Sequence, residues 1–174
     1  MATDAFWFMR RSCPECGGVV PNVAEHPLLG HLVRTLRHEG YDQAAVLAND
    51  LDTADAAQLV RAVLSDALDF FGRQIDRSPV ARRALDERTV RLEIRDRPGI
   101  AADLRCSDAG CVVGAAGDGP PDVRFGFESV VDALAVATQV HSLEEAGALG
   151  ALHVVGDIHV AMALAQFVRW PTLT

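Results

Sequence analysis

The chain has no lysine: all sixteen basic residues among its 174 are arginine, and 24 acidic residues leave a net charge of −8. Nucleic acid and anionic membrane surfaces require a basic footprint, so this balance argues against both as partners. Lysine-free usage rich in Ala and Arg is associated with high-GC bacterial genomes. No apolar run approaches the roughly 18–20 residues that span a bilayer, which excludes an integral membrane helix. The opening "MATDAFWFMRRSCPECGG" carries its arginines after the short apolar patch, the reverse of a secretory signal. With four cysteines and no such signal, the expectation is a cytoplasmic protein whose thiols are free or bind metal. There is no P-loop, no G-x-G-x-x-G, no G-x-S-x-G and no H-E-x-x-H, so the common enzyme classes lose their usual sequence support.

What is present fits a folded soluble protein, 49% hydrophobic and 23% charged. The length suits one domain, residues 51–174, behind an N-terminal extension over residues 1–50. In the extension "FWFMRRSCPECGGVVPN" is irregular. Leu28, Leu29, Leu32, Val33 and Leu36 then recur at helical spacing up to Gly40, and "YDQAAVLAND" forms another short helix. Residues 52–77 read as a long helix capped by Asp52 or Thr53, with Asp55 in its first turn. Its stripe runs through Val60, Val63, Leu64, Ala67, Leu68, Phe71 and Ile75. Ser78-Pro79 opens a further helical segment.

From Arg88 the period changes to two. Val90, Leu92 and Ile94 alternate with Arg91, Glu93 and Arg95, the pattern of a half-buried strand. Two strands follow around a Ser-Asp-Ala-Gly turn, with Ala102, Leu104 and Cys106 on one face. After the "GDGPPD" loop comes a fourth strand with Val123, Phe125 and Phe127 inward. Ser129 with Asp132 and Ser142 with Glu145 then start two helices at capping-box spacing, the second pair fitting better. "LHVV" is a fifth strand, and Asp157 caps a last helix in which Ile158, Val160, Ala161, Met162, Ala163, Leu164, Ala165, Phe167 and Val168 leave almost no polar side. A helix apolar all round is expected to be covered all round. The segregated elements predict an α+β fold with a five-stranded, largely antiparallel sheet.

From about Val90 to Val168 this order resembles the sterol carrier protein 2 (SCP2) family, most sharply in "PDVRFGFESVVDALAVATQVHSLEEAGALGALHVVGDIHVAMALAQF". The resemblance lies in an aromatic strand, two helices, a strand running into Gly156-Asp157 and an apolar C-terminal helix. It implies helices over one face of the sheet, an apolar tunnel, and binding of fatty acyl chains, acyl-CoAs, sterols or other lipids, often without catalysis. The small-residued "GCVVGAAGDGPPD" and the first fifty residues depart from the family pattern; the latter are expected to cap the tunnel, plug it, or form a homodimer contact. On this fold Phe71, Phe125, Phe127, Leu134, Leu149, Ile158, Met162, Ala165 and Phe167 are expected to line the tunnel, although each alone is ordinary core. The expected function is non-catalytic binding or transfer of an apolar molecule. The alternative is an enzyme or biosynthetic accessory acting on an apolar intermediate in the same cavity, with Asp157, His159 and His153 as the acid–base groups; otherwise Asp157 is simply the helix cap.

Three polar constellations remain. Cys13, Cys16, His26 and His31 supply zinc-type ligands, but at shorter spacing than a standard finger and across Pro21, so the pair is read as incidental and no cofactor is expected. Cys106 and Cys111 flank a turn and come close across it, read as buried free thiols. Arg91 and Arg95 share a strand face suited to a carboxylate or phosphate headgroup, though Glu93 and Asp96 point to a solvated face.

Overall fold

The computed structural model describes residues 11–12, 19–20, 27–50, 53–97, 99–137 and 140–167. Cys13, Cys16, Pro21, His26, Asp52 and Val168 lie outside the described residues, as do the side chains of Leu28, Leu29, Asp55, Val60, Val63 and Ala137. In chain order the elements are β1 (Arg11–Ser12), β2 (Val19–Val20), α1 (Pro27–His38), α2 (Tyr41–Asp50), α3 (Thr53–Asp76), α4 (Pro79–Ala84), β3 (Thr89–Ile94), β4 (Ala101–Ser107), β5 (Gly110–Ala115), β6 (Val123–Phe127), α5 (Val130–Ala137), α6 (Leu143–Ala148), β7 (Leu152–Gly156) and α7 (Ile158–Phe167). The expected order of helix, four strands, two helices, strand and helix is present from α3 onward. The stretch read as irregular carries a two-residue antiparallel pair, β1 with β2.

The main sheet runs β5-β4-β3-β6-β7. Three neighbouring pairs are antiparallel and the central pair, β3 with β6, is parallel. Side chains alternate across a pleat, so register assigns them to faces. Val90 faces Leu104 and Val123, and Leu92 faces Ala102 and Phe125. One face is therefore apolar from β5 to β7, and α3 and α7 lie on it. Arg91, Glu93, Asp103, Arg105, Arg124 and His153 belong to the other face.

That polar face is not uniformly solvated. Arg91 Nε donates to Asp103 Oδ1 at 2.7 Å and Nη2 to Oδ2 at 3.0 Å, and the Asp103 side chain is only 2% exposed. Arg91 also donates to the carbonyls of Gly117 and Gly119, while Gly117 N–H donates to Asp103. The β5–β6 loop is thereby pinned over the pair. Arg95 pairs with exposed Glu128. Neither arginine is left for a headgroup, because a matching carboxylate stands beside each.

The expectation that α7 is covered on every side does not hold. It buries Val160 and Leu164, while Ile158 and Met162 stay 63% and 62% exposed. The helix that is buried all round is α5, whose residues Val130 to Val136 are each buried. Coverage for α5 comes from the extension: Leu32, Val33, Leu36, Ala44 and Ala48 of α1 and α2 join its core. Gly40, at φ +100°, ends α1 by donating to the Thr35 carbonyl, a left-handed C-cap.

A polar contact fixes this packing. Tyr41 Oη donates to Asp132 Oδ1 at 2.8 Å, and Ser129 Oγ donates to Oδ2 at 2.7 Å. Burial raises the Tyr41 pKa above its usual value, and the neighbouring carboxylate adds to this. Tyr41→Phe is expected to lower stability by about 1 kcal/mol, the worth of one half-exposed hydrogen bond to a carboxylate. An unchanged urea midpoint would mean that water replaces the hydroxyl without loss.

Candidate functional site

Two helices on one sheet face leave a gap between them. Here the gap lies over the parallel β3–β6 pair and encloses an apolar cavity of about 90 Å³. Its floor is Val90 and Leu92 of β3 with Phe125 and Phe127 of β6. Phe71 of α3 forms one wall, and Ala161, Leu164 and Ala165 of α7 the other. Leu143, the first residue of α6, stands at the end. Every lining residue is apolar, so the site offers dispersion and desolvation but no fixed charge.

Local sequence explains these positions. The floor is the inward half of two alternating strands. Ala161 and Ala165 are small residues one turn apart, so α7 leaves space where larger side chains would fill it. Leu143 and Ala165 are themselves exposed, which sets the mouth between α6 and α7. Ser142 holds α6 by a reciprocal capping box: Oγ accepts from Glu145 N–H at 3.0 Å, and Ser142 N–H donates to the Glu145 carboxylate at 2.8 Å. These hydrogen bonds hold the Glu145 pKa below the usual carboxylate range.

Of the expected lining residues, Phe71, Phe125, Phe127 and Ala165 meet at the cavity. Leu134 is buried in α5 instead, and Phe167 packs against the general core. Leu149, Ile158 and Met162 lie on the surface beyond the cavity. Val90, Leu92, Leu143 and Leu164 also line the cavity and are not among the expected residues. The signal for the first two was present, since their alternation matches that of Phe125 and Phe127, but it required knowledge that β3 pairs with β6.

The acid–base candidates do not converge. Asp157 Oδ1 accepts from His159 N–H at 2.8 Å, the geometry of a helix cap, and Oδ2 lies 3.9 Å from Arg88 Nη1. His153 is on the opposite sheet face to the cavity, 3.2 Å from Glu128. His159 is exposed on α7. Among the described residues no cluster of three or more His, Cys, Asp or Glu side chains is arranged to hold a metal. His31, the only described member of the zinc candidates, is exposed on α1. No helix among the described residues is long and apolar enough to cross a membrane.

The profile of the SCP-2 sterol transfer family matches residues 68–169. Similar solved structures include one described as a UbiJ-SCP2 ubiquinone synthesis protein, 23% identical, covering 63% of this chain and 88% of that one at a TM-score of 0.44. Sterol carrier protein domain 2 of Helicoverpa armigera is 16% identical, covering 57% and 80%, TM-score 0.45. Sterol carrier protein 2 of Yarrowia lipolytica, in its apo form, is 17% identical, covering 62% and 92%, TM-score 0.43. No curated protein sequence matches the chain.

Proposed function

From membership of the SCP-2 sterol transfer family, to which this chain belongs, we propose that the protein binds a lipid or other apolar small molecule between α3 and α7 in the cytoplasm, without chemistry. The observation that carries the reading is the cavity between α3 and α7 whose every lining residue is apolar. An enzyme would need an ionisable group at the bound molecule, and Asp157, His153 and His159 all lie elsewhere; an accessory protein that only presents an apolar intermediate to another enzyme would need none.

Size decides how binding must proceed. Pockets that enclose whole small molecules measure about 300–1,000 Å³, and an apolar cavity of about 150 Å³ admits only a benzene-sized guest. At about 90 Å³ the present cavity takes the end of a chain. A longer chain gains about 0.8 kcal/mol per buried CH₂, so ten methylenes favour parting the walls by about 8 kcal/mol before ordering costs. The movable walls are α6, a six-residue helix, and α7, which is anchored by Val160 and Leu164.

Ala161→Trp fills the cavity from the α7 side. Affinity for a fluorescent fatty acid is expected to fall at least tenfold, about 1.4 kcal/mol, while the circular dichroism spectrum stays native. Unchanged uptake by a folded Ala161→Trp protein would remove the cavity as the binding site. Adding ligand to the unsubstituted protein should also slow amide exchange in α6 and α7 more than in β3.

A further inference from the structure

Cys106 and Cys111 are register partners on adjacent antiparallel strands, and both are free thiols. Their sulfurs lie 3.0 Å apart, with Cys111 Sγ–H donating to Cys106 Sγ. The type of pair matters more than the distance. Cys106 N–H donates away from its partner to the Arg88 carbonyl, and Cys111 N–H donates to the Asp76 carboxylate of α3 at 3.1 Å. The two residues therefore form a non-hydrogen-bonded pair, the class in which Cα atoms approach to about 4.5 Å. Disulfides span Cα separations of about 4.4–6.8 Å, so a bond between these sulfurs needs little backbone movement.

We propose that Cys106 and Cys111 are a reversible oxidation site whose substrate is a small hydroperoxide. One thiolate attacks a peroxide oxygen, which stays on sulfur as a sulfenic acid, while the O–O bond breaks and the other oxygen takes up a proton and leaves as alcohol, or as water when the oxidant is hydrogen peroxide. The second sulfur attacks the first, forming the S–S bond and releasing the sulfur-bound oxygen as water. Two S–H bonds and one O–O bond are replaced by one S–S bond and new O–H bonds, and two electrons pass from sulfur to peroxide. A transient disulfide of this kind is compatible with a reducing compartment, where a structural one is not.

The surroundings assign different parts to the two sulfurs. The hydrogen bond from Cys111 pulls the Cys106 pKa below that of an ordinary thiol, against its burial. The same bond, burial and the nearby charges of Cys106 and Asp76 push Cys111 up. The first proton therefore comes off Cys106, and Cys111 keeps the second. Cys106 is buried and the half-buried Cys111 lies 3.0 Å from its sulfur, so only an oxidant as small as a hydroperoxide can reach the Cys106 thiolate. Directly above lies α3: a Cβ on Gly72 would stand 3.1 Å from Cys111 Cβ, and the preceding residue, Phe71, is a cavity wall.

The absence of lysine makes the test direct, because trypsin then cuts only after arginine. The peptide after Arg105 runs to Arg124 and holds both cysteines, while Cys13 and Cys16 fall in another. Reduced protein is treated with micromolar hydrogen peroxide, alkylated and digested. The expected product is an unalkylated Cys106–Arg124 peptide about 2 Da lighter than the dithiol, restored by dithiothreitol. It should form at least tenfold faster in the folded protein than in urea, and Cys111→Ser should instead yield a sulfenic acid at Cys106 that dimedone traps. Full alkylation of both cysteines, sulfinic acid without the disulfide, or equal rates in urea would each overturn the proposal.

Discussion

Asp103→Ala is expected to destabilise the protein by about 3–5 kcal/mol, because it strands the Arg91 guanidinium in a site its partner was covering. At about 2–4 °C per kcal/mol for a chain of this size, the thermal midpoint should fall by roughly 10 °C. An exposed ion pair contributes only about 0–1 kcal/mol. What separates this one is burial, with the Asp103 and Arg91 side chains 2% and 11% exposed. The Asp103→Leu, Arg91→Met double variant should recover much of the loss, since no buried charge remains. It should not restore the loop, whose Gly117 and Gly119 carbonyls lose their donor. Amide exchange over residues 116–121 would then rise although stability had returned. A shift below about 1 kcal/mol for Asp103→Ala would show that the pair behaves as a surface contact.

The same carboxylate sets a pH signature. Burial pushes the Asp103 pKa up, but hydrogen bonds from Arg91 and Gly117 N–H, with the arginine charges, outweigh it and leave the value below the usual range. Asp122 behaves likewise: burial raises it, and Thr89 N–H and Arg88 more than offset this. A carboxylate with a depressed folded-state pKa binds protons more weakly folded than unfolded. Its contribution is fully present above the unfolded value near 3.9 and disappears as pH falls through the folded value. Urea midpoints should therefore change little on account of these groups between pH 7 and 5, then drop steeply below pH 4. The drop should be shallower in Asp103→Ala.

Much of the fold could be read from periodicity, and the rest depended on neighbours that periodicity does not name. The alternation through Val90, Leu92 and Ile94 identified β3 and its inward face. Nothing in that alternation says that β3 lies parallel to β6, yet this pairing brings Leu92 beside Phe125 and creates the cavity floor. The same gap explains Arg91, which reads as a solvated or ligand-binding residue until register places Asp103 opposite it. Helices fail differently. Both α5 and α7 are apolar on nearly every side, and α5 is buried because α1 and α2 pack against it in addition to β6 and α6. Ile158 and Met162 are as apolar as Leu164, but α7 has one packed side, and sequence does not say which turn faces it.

The Gly156-Asp157 step that carried the family resemblance is the clearest case of a motif whose reason is architectural. Gly156 has φ +126°, and a Cβ there would stand 2.2 Å from the Asp122 carbonyl oxygen and 2.9 Å from Val123 Cα. Asp157 N–H donates to that same carbonyl at 2.7 Å before its carboxylate caps α7. The chain must therefore press against the start of β6 to turn from β7 into α7, and only glycine fits. Gly156→Ala combines a backbone conformation costing about 1–3 kcal/mol with a clash against main chain that cannot rotate away, so a loss of about 3 kcal/mol or more is expected. Gly150→Ala isolates the first part, since Gly150 also has positive φ, +74°, but open space around it. If strain alone governs, the two variants will have similar melting temperatures. If close approach governs, Gly156→Ala will melt several degrees lower and will loosen α7, weakening fatty-acid binding along with stability, whereas Gly150→Ala will leave binding intact.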